Sequence, residues 1–386
     1  MRSKLLQSAI SLSLLTWLAF SMGCAQPAAQ SPTPASPAAA PKAPVAPATP
    51  ATSAPSAAQS SPRPAVSPTS GSSTGQGLTT LKIAHAPSTL FAPLYVAIDR
   101  GYLREEGIGV DLSVVPAGQD AMAFVATGQL DAAVAGIASA TFNAVNRGLD
   151  IRIVASMGES PEKGDPSALM VRSDLLKGGA VKGPADLKGK KIAIAGGLGA
   201  TSSYYLAAIL QPAGLTLKDI EGVNMAFPDM IAAFKNKSID AAIPPAPFST
   251  QIANDGLAEI PAFGHLKPHV SGVGVVFGPR LLREKPELGQ KLMAALVKGA
   301  RDIQGDKFYD PKNLEIFSKY TKQKVQQLKD MPSYNYRRDL APDVETYQNM
   351  QKAFIQAGLL SYSEPLPTDK VVDDRFVRFA AQKLGQ

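Results

Sequence analysis

The chain has 386 residues, 18% of them charged and 6% aromatic, with one cysteine, three histidines and a formal net charge of +7. A single cysteine excludes an intramolecular disulfide and any multi-cysteine metal site. Arg2, Lys4, Lys42 and Arg63 precede residue 79 and no acid does, which leaves the remainder at +3, too mild a field to argue for a nucleic-acid partner.

Arg2 and Lys4 stand before an apolar run, residues 5–20, and small residues with Cys24 follow it. A charged start, an apolar middle and a small-residue cut site predict an export signal over residues 1–23. Gln7, Ser8, Ser11, Ser13 and Thr16 interrupt the run, leaving it weaker than the roughly 20 apolar residues a spanning helix needs. Residues 24–78 are almost wholly Ala, Pro, Ser, Thr, Gln and Gly and cannot build a core. Closely spaced prolines, such as Pro32, Pro34, Pro37 and Pro41, favour extended segments of at most ~3.1 Å per residue. This stretch is expected to be a tether.

The stretch from residue 79 exceeds the roughly 250 to 300 residues at which one hydrophobic core stops growing, so two lobes are expected. Residues 81–86 predict a strand, Pro87 and Ser88 a turn, and 91–100 a helix stopped by Gly101. A strand over 110–115, a helix over 119–127, a strand over 132–135, a helix over 139–147 and a strand over 151–155 follow. A second series has strands over 192–195, 223–225 and 241–243, with helices over 201–213 and 229–235 between them. Strands alternating with helices of about ten residues imply parallel, doubly wound sheets covered on both faces.

The two series match at a fixed offset. Asp120 meets Asp229, Ala123 meets Ala232, Leu130 meets Ile239, and Asp131-Ala132-Ala133-Val134 meets Asp240-Ala241-Ala242-Ile243. Two similar sheets in different lobes are therefore expected.

Four further stretches carry a family resemblance: Ala92-Pro93-Leu94-Tyr95-Val96-Ala97, Gly101-Tyr102-Leu103-Arg104-Glu105-Glu106-Gly107, Gly128-Gln129-Leu130-Asp131 and Asp186-Leu187-Lys188-Gly189-Lys190-Lys191. Their order over about residues 79–280 resembles the ABC-transporter binding proteins for nitrate, taurine and sulfonates, whose relatives bind thiamine-pyrimidine precursors or aromatic carboxylates. Ser21-Met22-Gly23-Cys24 resembles the bacterial lipoprotein box, which implies lipid on Cys24. The family resemblance implies an α/β, type II periplasmic-binding-protein fold, with two doubly wound lobes joined by a two-strand hinge. Lobe 1 would comprise 79–168 plus 267–386 and lobe 2 residues 169–266, with the crossings near 167–172 and 272–277. It further implies a monomeric, extracytoplasmic solute-binding component, anchored to the membrane through Cys24, with a small-molecule ligand and an ABC permease and ATPase complex as partners. A sensing domain for a signalling receptor and a small-molecule enzyme on the same fold are the competing readings.

Ligands of open α/β sheets sit beyond the carboxyl ends of the strands. In lobe 1 those loops are 87–91, 117–120 and 136–141, and in lobe 2 they are 196–203, 227–229 and 244–248. They nominate Ser88, Thr89, Phe91, Gly118, Gln119, Gly136, Ser139, Thr201, Ser202, Asp229, Pro245 and Phe248 as ligand-binding residues. Hydroxyls beside helix N-termini bind anions without a basic residue, although N-capping uses the same positions. Thr201 and Ser139 are expected to donate to the ligand, and Phe91, Tyr204 and Phe248 to wall the cleft. No Arg or Lys falls in these loops, which favours a small organic acid or zwitterion over a bare phosphate or sulfate. Asp229 would meet a ligand amine or cap the next helix.

Gly197-x-Gly199 suits a dinucleotide fingerprint only in part: Ser202 replaces the third glycine, and 224–226 lack the acid that would hold the ribose. His265 and His269 have the spacing of helical metal ligands, but Gly264 and Pro268 argue for a loop there. No cofactor, no metal and no catalytic residue is expected.

Overall fold

The computed structural model describes residues 77–115 and 118–385. The expected export signal, the expected lipidation site Cys24, the expected tether up to residue 76 and the loop residue Ala117 lie outside the described residues. Among the described residues no helix is long and apolar enough to cross a membrane.

The first segment contains β1 (Thr79–His85), α1 (Ala92–Asp99), α2 (Tyr102–Glu105), β2 (Ile108–Val114), α3 (Met122–Ala126), β3 (Ala132–Gly136), α4 (Ser139–Asn146), β4 (Arg152–Ser156) and β5 (Gly158–Glu159). The middle segment adds β6 (Met170–Arg172), α5 (Ser173–Lys177), β7 (Lys191–Ile194), α6 (Thr201–Leu210), β8 (Glu221–Asn224), α7 (Phe227–Lys235), β9 (Ala241–Ala242), α8 (Phe248–Asn254) and β10 (Ala258–Glu259). The chain ends with β11 (Val273–Phe277), α9 (Pro286–Arg301), α10 (Pro311–Thr321), α11 (Val325–Asp330), β12 (Asn335–Tyr336), α12 (Val344–Ala357), α13 (Thr368–Val371) and α14 (Arg375–Leu384).

Two five-stranded sheets result, ordered β2-β1-β3-β11-β4 and β10-β6-β9-β7-β8. The matched segments fall in different sheets, β3 in the first and β9 in the second. Their aspartates do the same job. Asp131 N–H donates to Lys82 O (2.8 Å) while its Oδ2 accepts from Lys82 N–H (2.7 Å); Asp240 N–H donates to Lys191 O (2.8 Å) while its Oδ2 accepts from Lys191 N–H (3.0 Å). Each aspartate thus fastens the entry of a central strand to its parallel neighbour, Asp131 to the middle of β1 and Asp240 to the start of β7. Arg280 holds the buried Asp131 at 2.9 and 3.0 Å.

Neither sheet is wholly parallel, as the alternating pattern had implied. β11 is antiparallel to β3 and β4, and β6 is antiparallel to β9 and β10. The reason is connectivity: β6 and β11 are the first strands after the chain passes from one lobe to the other. They enter from the edge where the parallel strands end and must run the opposite way. The crossings themselves are residues 160–169 and 264–272, upstream of the expected 167–172 and 272–277. They pair with each other, Ser160 N–H donating to Val270 O (3.0 Å), His269 N–H to Ser160 O (2.8 Å) and Leu169 N–H to Gly264 O (2.9 Å). Apolar β-rich composition marks the flanking strands, whereas Gly164, Pro166 and Pro268 mark the passage itself.

Sheet 1 carries the larger core on one face. α9 lays Leu292, Leu296 and Val297, all fully buried, against α1 and α14. Burying each such side chain is worth about 1.5–3 kcal/mol. Phe277 of β11 meets Phe376 of α14 edge to face, with centroids 5.0 Å apart. On the other side, α12 packs on both α4 and α6, so it touches both lobes.

Candidate functional site

The sheets face each other across a cavity of about 130 Å³, close to the ~150 Å³ of an apolar cavity that holds one benzene. Lobe 1 supplies Ala86, Ser88, Leu90 and Phe91 from the β1–α1 loop, Gly118 and Gln119 ahead of α3, and Gly136 and Ala138 ahead of α4. Lobe 2 supplies Ala195, Ala200, Thr201, Ser202 and Tyr205 around the start of α6, with Phe227 at the start of α7 and Ile243 and Pro245 after β9. Ser167 of the first crossing and Val273 at the start of β11 close it. Among the described residues that line it, none is charged at neutral pH.

The β1–α1 loop is pinned from below by Tyr95. Its hydroxyl donates to Ala86 O (3.0 Å), accepts from Ser88 N–H (3.3 Å) and lies 3.0 Å from His85 Nδ1. With the phenol proton on Ala86 O, the Nδ1–H tautomer of His85 completes the set. Tyr95 stacks on Tyr320 at 4.8 Å, and burial raises its phenol well above the ordinary range. Burial lowers His85, against a backbone hydrogen bond at Ala86 that raises it. A second tyrosine, Tyr336, donates to Thr89 O (2.6 Å).

Eight of the nominated residues line the cavity: Ser88, Phe91, Gly118, Gln119, Gly136, Thr201, Ser202 and Pro245. Four do not. Thr89 is 1% exposed, and its hydroxyl is buried without a partner. Ser139 is the first residue of α4, and its N–H donates to Gly199 O of the other lobe (2.9 Å). Asp229 is exposed in the first turn of α7. Phe248 stacks on Phe227 at 5.9 Å, one layer behind the wall.

Among the eight, several have structural work. Ser88 caps the turn Thr89–Phe91, its Oγ accepting from Leu90 N–H (3.2 Å). A Cβ at Gly118 would sit 2.0 Å from Gly136 O, so backbone proximity demands glycine there. Thr201 Oγ1–H donates to Ile137 O (2.7 Å), with Gly272 O at 3.3 Å, and Gln119 Nε2–H donates to Gly196 O (3.2 Å). Both side chains therefore reach across to the opposite lobe, and the Thr201 hydroxyl hydrogen is engaged in an interlobe bond.

The aromatic wall is Phe91, Tyr205 and Phe227, with Tyr205 in place of the expected Tyr204. Helical phase decides between the neighbours: 201 and 205 share a face, four residues apart, whereas Tyr204 turns toward Thr346 of α12. Tyr205 OH accepts from Gly272 N–H (3.1 Å), and burial raises its phenol well above the ordinary range. Ser167, also unforeseen, shares a hydrogen bond with Tyr334 OH (2.9 Å) at the crossing. The sequence signal for these was the helical spacing of 201, 202 and 205 and the short Gly/Pro-bearing crossing. His265 and His269 lie in the returning crossing, off any helix, as Gly264 and Pro268 implied.

A larger groove of about 440 Å³ lies on the C-terminal part of the chain, between Asp339, Asp369, Asp374 and Arg378. It draws no residue from sheet 2 and none from a strand end where helices begin. The interlobe cavity is the better candidate on geometry.

No curated protein matches the sequence. Among solved structures, the alkanesulfonate-binding protein SsuA from Xanthomonas axonopodis pv. citri, bound to MOPS, is 19% identical and covers 78% of this chain and 100% of its own, with a TM-score of 0.57. The periplasmic nitrate-binding protein NrtA from Synechocystis PCC 6803 is 17% identical over 80% of this chain and 89% of its own, with a TM-score of 0.61. DSZB, in complex with biphenyl-2-sulfinic acid, is 17% identical over 79% of this chain and 99% of its own, at 0.53. These likenesses show a shared fold, one that serves solute-binding proteins and a desulfurization enzyme. The family described as NMT1/THI5 like matches residues 88–306, which is more than half of the sequence, and the chain therefore belongs to the NMT1/THI5-like family.

Proposed function

We propose that the protein is the extracytoplasmic, lipid-anchored solute-binding component of an ABC importer, and that it captures a small organic acid or zwitterion in the interlobe cavity. A sulfonate, carboxylate or pyrimidine-like solute with a compact ring or short apolar body suits the site. The observation that carries this reading is the lining itself: aromatic and aliphatic walls, the hydroxyls of Ser88, Ser167, Thr201, Ser202 and Tyr205, and helix N-termini from both lobes, without a charged side chain among the described residues. Ala138 leads into α4 and Ala200–Ser202 opens α6, so the positive ends of two helix dipoles meet there. Each such end favours an anion by about 0.3–1 kcal/mol, more when partly buried. That suffices for one negative charge beside an apolar body. It does not offset the several kcal/mol that burying a dianion without a cation would cost.

The reading names holding rather than chemistry, because the lining offers hydroxyls, an amide and rings instead of a nucleophile beside a base. Anchoring at Cys24 is supported by the charged start, the apolar run, the small residue before the cysteine and the proline-rich stretch after it. A permease and an ATPase are the partners such a component serves.

Calorimetric titration of the purified protein with benzoate, benzenesulfonate, taurine, MOPS, sulfate and phosphate tests the ligand class. At least one organic monoanion or zwitterion is expected to bind and raise the melting temperature, while sulfate and phosphate are not. S202A is expected to weaken that binding about tenfold or more, the loss of one hydrogen bond to a charged group. Preferential binding of sulfate or phosphate, or binding indifferent to S202A and S88A together, would count against the site.

A further inference from the structure

The two lobes meet around the cavity through a reciprocal pair of seats. A Cβ placed on Gly136 of lobe 1 would lie 2.5 Å from Thr201 Oγ1 and 3.4 Å from Thr201 Cβ, and would meet nothing else within 4 Å. A Cβ placed on Gly199 of lobe 2 would lie 2.5 Å from Ser139 Oγ and 3.6 Å from Ser139 Cβ, and again nothing else within 4 Å. Neither glycine adopts positive φ, so its backbone conformation does not require glycine. What each lacks room for is one side chain of the opposite lobe. Thr201 thus sits in a notch of lobe 1 and Ser139 in a notch of lobe 2.

Hydrogen bonds tie both seats. Thr201 Oγ1–H donates to Ile137 O (2.7 Å), Ser139 N–H donates to Gly199 O (2.9 Å), and Gln119 Nε2–H donates to Gly196 O (3.2 Å). Every donor and acceptor in the set belongs to the protein. We infer that this reciprocal seat is a latch that closes the cleft without waiting for ligand, and that Gly136, Gly199, Thr201 and Ser139 are positioning residues that set how much of the protein is closed. The inference rests on reading the cavity as the capture site. Given that reading, latch strength enters the affinity directly, because a ligand enclosed by both lobes is bound in proportion to the stability of the closed state.

The test reads the lobes without any ligand. Spin labels at D111C and K235C, on exposed surfaces of the two lobes, are placed in the full chain carrying C24S, and their separation is measured by pulsed dipolar spectroscopy. The ligand-free protein is expected to show a closed-distance population. G136A and G199A should each reduce it about tenfold, since a methyl forced into a packed seat displaces its partner. Their melting temperatures should stay close to the parent's, because the added methyl meets only the other lobe. In a T201A background, where the obstructing oxygen is gone, G136A should change the distribution little further. The latch is refuted if the ligand-free parent is open throughout, if neither glycine substitution alters the distances, or if G136A acts as strongly without the Thr201 hydroxyl as with it. None of these readouts requires an acid to bind, so a failed ligand panel would overturn the capture reading and leave the latch result standing.

Discussion

Two of the three histidines sit in opposite environments, and pH separates them. His269 in the returning crossing meets Glu159 at 2.8 Å; Glu162 lies at 3.9 Å and Arg337 opposes weakly, so the hydrogen bond that the ring donates to Glu159 raises the imidazole above its ordinary value. A raised histidine stabilises the fold fully below about 6.5, its unfolded value, and that contribution is lost as pH rises through the higher folded value. H269Q is therefore expected to destabilise the protein between pH 5 and 6.5 and to matter little by pH 8, as urea unfolding across that range would show. Its exposed side chain keeps the effect modest. His85 has the reverse sign: burial lowers it, so stability falls as pH drops below about 6.5 toward the folded value. Proton-exchange-resolved NMR titration of the two rings should place His269 above 6.5 and His85 below it.

Thr89 illustrates where residue-level reading ends. Its neighbour Ser88 lines the cavity and caps the turn, while Thr89 points its hydroxyl into protein with no partner. A sequence names both hydroxyls alike, because the turn that separates their directions is held by Tyr95 of the adjoining helix and by Tyr336 from far along the chain. T89V should leave ligand binding unchanged and hold or raise stability by up to about 1 kcal/mol, since it replaces an unsatisfied hydroxyl with a methyl. A large loss of binding in T89V would show that the hydroxyl turns toward the cavity.

At the scale of elements, the matched aspartates were legible as a repeat and their purpose was not. The Asp-Ala-Ala run announces a tight entry into a central strand, but the bond from each aspartate to the backbone 49 residues upstream needs the parallel pairing to be in place first. The pairing also grades their importance. Asp131 is 3% exposed and held by Arg280, so D131A strands a guanidinium and an N–H and is expected to cost about 2–4 kcal/mol. Asp240 lies nearer solvent, with Arg172 at 3.4 Å, and D240A is expected to cost about 1–2 kcal/mol. Denaturation midpoints of the two variants check the order; equal losses would mean that burial is not what distinguishes them. Tyr205 makes the same point for helices. The expected start at 201 is the observed one, yet which of two adjacent tyrosines faces the cavity depends on how α6 is rotated against α12 and the opposite lobe, which turns Tyr204 toward Thr346.

For the whole molecule, alternation of strands and helices, chain length and the internal match were enough to expect two lobes with a cleft between strand ends. What they could not supply was the direction of β6 and β11, which follows from the route between lobes, or the closure that turns Thr201 and Gln119 into interlobe donors. Both depend on contacts between segments distant in the chain. The cavity that results is small, uncharged in its described lining, and approached by helix N-termini from both sides. A crystal structure of the protein grown with the tightest-binding acid of the panel tests this account most directly. The prediction is an acid enclosed by both lobes, its apolar body against Phe91, Tyr205 and Phe227 and its charged end at the start of α6 beside Ser202; an acid seated in the groove between Asp339 and Arg378, or touching one lobe alone, would contradict it.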